Sequence, residues 1–132
     1  MTNVDWAKRR SECSLEAIFN VSLKELLDSD VESVNQLKRR GVEFVLDTHA
    51  TNKIVVSRRR DMGGTFENEA VVFDLLPNEI RVRDARTEKT MFSAKPTLNA
   101  EGECLIEIAG LGDPIRLWQF SSKALENLFF GF

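Results

Sequence analysis

Three consecutive arginines stand beside two consecutive glycines in the stretch SRRRDMGG, residues 57–64. Guanidinium groups match phosphate with paired hydrogen bonds, and glycines let backbone N–H groups come close to an anion. The stretch therefore predicts an anion-binding loop, which arginines from a later strand would enlarge. Its members would be Arg58, Arg59, Arg60, Arg81 and Arg83. The alternative is a solvated loop, because charge runs mostly face water and Asp74, Glu67 and Glu69 would partly neutralise the patch.

Aromatic residues are concentrated at the chain end. Five of the eleven fall in the last fifteen residues: Trp118, Phe120, Phe129, Phe130 and Phe132. One helical stripe can bury Leu125, Leu128 and Phe129, but Phe130 and Phe132 do not fit it. The tail therefore either caps the core or docks on a partner protein or a second copy, since large exposed apolar patches are uncommon on monomers. We take Phe129, Phe130 and Phe132 as the candidate interface.

Residues for catalysis or metal binding do not form a recognisable pattern. His49 is the sole histidine and stands in THATN, which reads as a hairpin loop without an associated nucleophile. No nucleotide-binding fingerprint or zinc-ligand spacing is present. We therefore expect no metal and no cofactor, and the sequence leans against an enzyme.

The two cysteines, Cys13 and Cys104, are far apart and in no metal-ligand spacing. The N-terminal residues are charged where a signal peptide would be apolar, so the predicted location is the cytoplasm. In a reducing cytoplasm such thiols are expected to be free, with Cys104 packed as a small apolar residue; a disulfide is the alternative.

Size and charge narrow the class of protein. The chain has 132 residues, 42% of them hydrophobic and 30% charged, which predicts one soluble domain spanning 1–132. The net charge of −3 argues against general binding to nucleic acid or acidic lipid. The longest uncharged stretches are far shorter than the ~20 apolar residues that cross a bilayer.

The first forty residues predict two helices. Between Ser14 and Ser29, apolar positions recur with helical spacing: Leu15, Ile18, Phe19, Ser22 and Leu26. The sequence from Ser29 to Glu32 then resembles a capping box, which predicts the start of a second helix. This helix would end with Lys38, Arg39 and Arg40 in its last turn, before Gly41.

After Gly41 the pattern alternates with a period of two. About seven short strands are predicted, the last being IRLWQF, residues 115–120, and a C-terminal helix capped by Ser121 or Ser122 follows. The second strand should end near Ser57, because Ile54 and Val56 would otherwise carry Arg58 inward. No helix separates the strands, so the fold class is α+β with an antiparallel meander that closes as a roll or barrel.

These patterns favour a non-catalytic binding or protein-interaction module, self-associating or with another protein as partner. The second hypothesis is an anion or nucleotide sensor using Arg58–Arg60. The order of strands and helix is similar to that of PilZ-type domains, which implies a cyclic dinucleotide ligand. Their spaced arginine pair and Asp-x-Ser-x-x-Gly stretch are absent, since RRRDMGG has contiguous arginines. An enzyme whose pocket the sequence does not reveal is the third hypothesis.

Overall fold

A computed structural model of the chain describes residues 5–132. Helices come first, an antiparallel sheet follows, and a C-terminal helix ends the described chain. The predicted α+β class is confirmed, as is the antiparallel pairing of neighbouring strands.

The N-terminal part is divided differently from the prediction. It comprises α1 (Trp6–Glu12), a short α2 (Leu15–Ala17), a π-helical segment (Ile18–Leu23) and α3 (Lys24–Gln36). The predicted break at Ser29 is wrong, because α3 runs through it without interruption. Asp30 instead accepts a hydrogen bond from the distant Ser121. The predicted helix end is also too late, because Leu37 is the C-cap and Lys38 already has a positive φ.

The π-helical segment changes which side chains are buried. Its wider i→i+5 turn moves the apolar stripe by one residue relative to a 3.6-residue repeat. Leu23 and Leu27 are therefore buried where the repeat predicted Ser22 and Leu26. The stripe then continues through Val31 and Val34 of α3.

Six strands form one sheet in sequence order, so each pairs with its neighbour in the chain. The sheet is open: β1 and β6 are its two edges, and the predicted closure as a roll or barrel and the seventh strand are not confirmed. The strands are β1 (Val42–Asp47), β2 (Lys53–Asp61), β3 (Phe66–Leu75), β4 (Ile80–Asp84), β5 (Thr90–Leu98) and β6 (Cys104–Ile108).

The segment predicted as the last strand belongs mostly to the C-terminal helix. Ile115 makes an isolated bridge with Ile106, and α4 (Leu117–Phe130) begins two residues later. Arg116 is the N-cap, and its N–H donates to the Gln119 side chain at 2.8 Å. The predicted cap at Ser121 or Ser122 is therefore about one and a half turns too late, and Trp118 lies on the helix.

The core lies between one face of the sheet and the helices. Alternate strand residues such as Ile54, Val56 and Phe73 point into it and are fully buried. Phe120 of α4 packs against Phe73 with ring centroids 6.1 Å apart. Helix α4 thus covers the sheet face, rather than filling the end of a barrel.

Asn35, near the end of α3, forms hydrogen bonds with backbone groups on the free edge of β1. Its side-chain Nδ2 donates to the Phe44 carbonyl at 2.9 Å, and its Oδ1 accepts from the Phe44 N–H at 3.0 Å. The side-chain amide of Asn35 therefore pairs both the N–H and the carbonyl that Phe44 directs away from the sheet. Because unpaired edge groups attract other strands, this contact makes the middle of β1 a poor site for strand addition.

The cysteines are paired, which corrects the prediction of two free thiols. Cys13, the C-cap residue of α1, forms a disulfide with Cys104, the first residue of β6, 91 positions later. Sequence spacing could not reveal the pair, because only the folded chain brings α1 to the β6 edge. Disulfides persist mainly in oxidising compartments.

Candidate functional site

The arginine triplet lies in strand β2 and not in a loop. The strand continues to Asp61, past its predicted end near Ser57. Because side chains alternate across a strand, Arg58 and Arg60 share the core face with Ile54 and Val56. Arg59 points to the opposite face. The pattern that makes Ile54 and Val56 buried thus carries an arginine into the core as well.

Arg58 is only 6% exposed, and both of its terminal nitrogens have hydrogen-bond acceptors within the fold. Its Nη1 donates to the Leu128 carbonyl in the last turn of α4 at 2.8 Å, and its Nη2 donates to Glu67 at 2.9 Å. Cations suit the negative end of a helix dipole, and the last carbonyls of a helix need donors. Arg58 therefore ties the end of α4 to the sheet.

Two further arginines join Arg58 around the ring of Phe132, and we call this group the Phe132 cluster. The guanidinium carbons of Arg58, Arg39 and Arg60 lie 4.2, 4.9 and 5.2 Å from the ring centroid. Arg39 also donates to the Phe129 carbonyl. The Nε atoms of Arg39 and Arg58 are buried without a partner in the described chain. Having almost no accessible surface, these atoms are closed to a dissolved anion.

The remaining predicted arginines lie on the other face of the sheet. Arg81 and Arg83 both donate to Asp74 Oδ2, at 3.1 and 2.8 Å. Arg59 stacks over Phe66, its guanidinium carbon 3.7 Å from the ring centroid. The five predicted anion ligands are therefore not brought together, and four of them form ion pairs with only two carboxylates: Arg58 and Arg60 with Glu67, and Arg81 and Arg83 with Asp74.

Asp74 is 6% exposed, and its charge is maintained by its two arginines. Burial, the largest single influence, raises the pKa of Asp74, but hydrogen bonds from Arg83 and Arg81 outweigh it, so the pKa lies below the ordinary 3.8. A carboxyl group of this kind stabilises the fold above its unfolded-state pKa and ceases to do so as the pH falls through the folded-state value.

We therefore expect the Asp74→Asn variant to lose less stability than the original chain between about pH 5 and pH 2. The free energy of urea-induced unfolding, measured across this range, checks the difference. The exposed Asp113→Asn serves as the control and should follow the original curve. Parallel curves for all three proteins would contradict the assignment.

A groove of about 440 Å³ runs between α3 and α4. The two helices run in the same direction: Asp30 contacts Ser121 early in α4, and Arg39, just after α3, contacts Phe129 near its end. The walls are mostly apolar or small side chains. They include Ser33, Val34, Ser122 and Leu125, with Asp30 and Glu126 as the charged members.

Three large apolar side chains on the groove are exposed. Leu37 is 57% exposed, Trp118 59% and Phe130 58%. Of the predicted interface residues, only Phe130 is both exposed and on the groove. Phe129 is buried against Phe44, with ring centroids 5.0 Å apart, and Phe132 lies in the Phe132 cluster. Sequence reasoning missed Trp118 because it assigned that residue to a strand.

No family model matches the chain, and no curated protein or solved structure compared with it matches either. Within residues 5–132, no helix has the length and apolar character needed to cross a membrane. In the same part of the chain, no three His, Cys, Asp or Glu side chains are grouped to hold a metal ion.

Proposed function

We propose that this chain is a protein-interaction module that binds a second copy of itself through the groove between α3 and α4. The observation that carries the proposal is the exposure of Leu37, Trp118 and Phe130 along one groove. Burying large apolar side chains is the main driving force of association, and tryptophan is prominent among residues that dominate binding energy. The buried Phe129 packs edge-to-face against Phe130 and so helps to hold that side chain in the groove wall.

The two ends of the groove complement each other. Trp118 and Asp30 lie at one end, whereas Leu37 and Phe130 lie at the other; the exposed Lys38 and Arg40 follow Leu37 in the chain but do not line the groove. In a dimer whose two-fold axis is perpendicular to the groove, the grooves of the two copies run in opposite directions. Trp118 of one copy then contacts the end of the other copy's groove that carries Leu37 and Phe130. The same arrangement brings Asp30 toward the chain segment that carries Lys38 and Arg40, whose charges oppose its own and that of Glu126 in the groove.

We expect Trp118→Ala and Phe130→Ser each to raise the Kd of the dimer by about tenfold or more. Sedimentation equilibrium over a wide concentration range measures the Kd. Both side chains are more than half exposed, so the Tm of the dissociated chain should change little.

Trp6→Ala and Phe66→Ala are the matched controls, since both remove exposed aromatic side chains outside the groove. They should leave the Kd unchanged. A chain that is monomeric at the highest concentrations, or controls that weaken the dimer equally, would overturn the proposal.

The other hypotheses from the sequence stay predictions. An anion or nucleotide sensor would need arginines that converge, whereas Arg58 and Arg60 are separated by the sheet from Arg59, Arg81 and Arg83. An enzyme is untested. The cytoplasmic location is also untested, and the disulfide favours an oxidising compartment instead.

A further inference from the structure

Helix α1 is fastened to the rest of the fold through the disulfide. None of its residues is buried, and Trp6 is 72% exposed. Cys13, directly after it, is buried and bonded to Cys104 of β6. A helix of seven residues is too short to be stable alone in water. The Cys13–Cys104 bond is therefore what keeps α1 at the sheet.

A pocket of about 290 Å³ lies beside this bond, lined by Cys13 itself and by residues of β5 and the turn before β4. Its charged lining residues are Arg10 and Lys95, both positive, and neither has an ion-pair partner in the described chain. Glu107 stands opposite Lys95 on β6 but does not line the pocket.

We propose that this pocket is a site of thiol–disulfide exchange with small anionic thiols, and that reduction there releases α1. The two cations raise the local concentration of an anionic thiol and stabilise its attacking thiolate. The proposal rests on the disulfide and its pocket, and it is independent of self-association through the α3–α4 groove.

The exchange takes two steps. The thiolate of the small molecule attacks Cys13 Sγ, which forms a mixed disulfide and expels Cys104 as a thiolate that takes up a proton. A second small thiol attacks the sulfur of the bound small molecule, releasing Cys13 as a thiolate and forming the small-molecule disulfide. In total, one protein disulfide and two thiols give two protein thiols and one oxidised small molecule.

Charge selectivity tests the site. Mercaptoethanesulfonate, mercaptoethanol and cysteamine are anionic, neutral and cationic thiols, compared at equal thiolate concentration. The freed cysteines are trapped by alkylation at successive times, and mass spectrometry of the protein then gives the rate of reduction. At low ionic strength we expect the anionic thiol to react roughly tenfold faster than the neutral one, and the cationic thiol to be slowest. Added salt should narrow the differences.

Two double variants distinguish the effect of the cations in the pocket from the effect of the protein's net charge. Arg10→Gln with Lys95→Gln should remove the selectivity, whereas Arg9→Gln with Lys89→Gln makes the same change in net charge outside the pocket and should preserve it. Equal rates for the three thiols in the original chain, or equal loss of selectivity in both variants, would overturn the charge-selective site.

Release of α1 is measured separately by limited trypsin digestion. Lys8, Arg9 and Arg10 are exposed cleavage sites in or near the middle of α1. Cleavage there should be severalfold faster in the reduced protein and in Cys13→Ala with Cys104→Ala, while cleavage inside β1–β6 stays slow. If reduction leaves α1 cleavage unchanged, the disulfide does not control this helix and the proposed release is wrong.

Discussion

Replacement of Arg58 by alanine should lower the free energy of unfolding by about 3–5 kcal/mol. The change leaves the buried Leu128 carbonyl without its donor and removes one of the two arginines that donate to the partly exposed Glu67. It also removes the guanidinium that packs on the Phe132 ring. Urea unfolding followed by circular dichroism gives the free energy, and the loss should be accompanied by fraying at the end of α4.

Arg59→Ala is the matched control, because it removes the same side chain from the next residue on the opposite sheet face. Arg59 stacks on the exposed Phe66, a contact worth about 0.5–1 kcal/mol. Equal losses for both variants would contradict the structural role of Arg58. If Arg58→Ala instead kept full stability and abolished a phosphate-induced rise in Tm, the anion-sensor hypothesis would be supported.

Local periodicity was enough to predict most of the sheet. The alternation of Ile80 and Val82 with Arg81 and Arg83 correctly separates a core face from a polar face in β4. Strands that follow one another with short turns pair as neighbours, so the antiparallel order also follows from the sequence. The pairing of Asp74 with Arg81 and Arg83 follows as well, because their side chains share one sheet face.

The position of Arg58 could not be predicted in this way. Burial of an arginine is costly unless acceptors surround it, so a pattern rule ends the strand before Arg58. Its main-chain acceptor is Leu128, 70 positions later, and only the packing of α4 on β2 supplies it. Long-range partners of this kind are invisible to a local pattern.

The sequence did not predict the candidate groove, for two reasons that concern single segments and a third that concerns how two helices pack together. The π-helical segment shifts the stripe of α3, and IRLWQF reads equally well as a strand, so Trp118 was placed in the sheet. The groove also requires α3 and α4 to pack side by side in the same direction. Nothing in either helix alone specifies that arrangement.

Loss of the Cys13–Cys104 bond should lower the free energy of unfolding by about 2–5 kcal/mol. Cys104→Ala removes the bond, and differential scanning calorimetry together with urea unfolding measures the effect. The bond links residues 91 positions apart, so it restricts the unfolded chain strongly. Chemical reduction of the original protein should produce a comparable loss.

Cys13→Ala provides the control, since it breaks the same bond from the other side. The two losses should agree closely, and the double variant should add little to either, because residues that act through one bond are not additive. A much larger loss for Cys104→Ala would show that packing of its side chain in β6 dominates over the bond.

The m-value, which is the slope of the free energy of unfolding against urea concentration, shows whether the bond acts on the unfolded chain or on the folded protein. Because α1 buries none of its own residues, breaking the bond removes little native packing. The unfolded chain, however, becomes free to expand and exposes more surface, so the m-value should rise in each single variant. A stability loss with an unchanged m-value would place the effect in the folded protein, and α1 would then contribute to packing around β6.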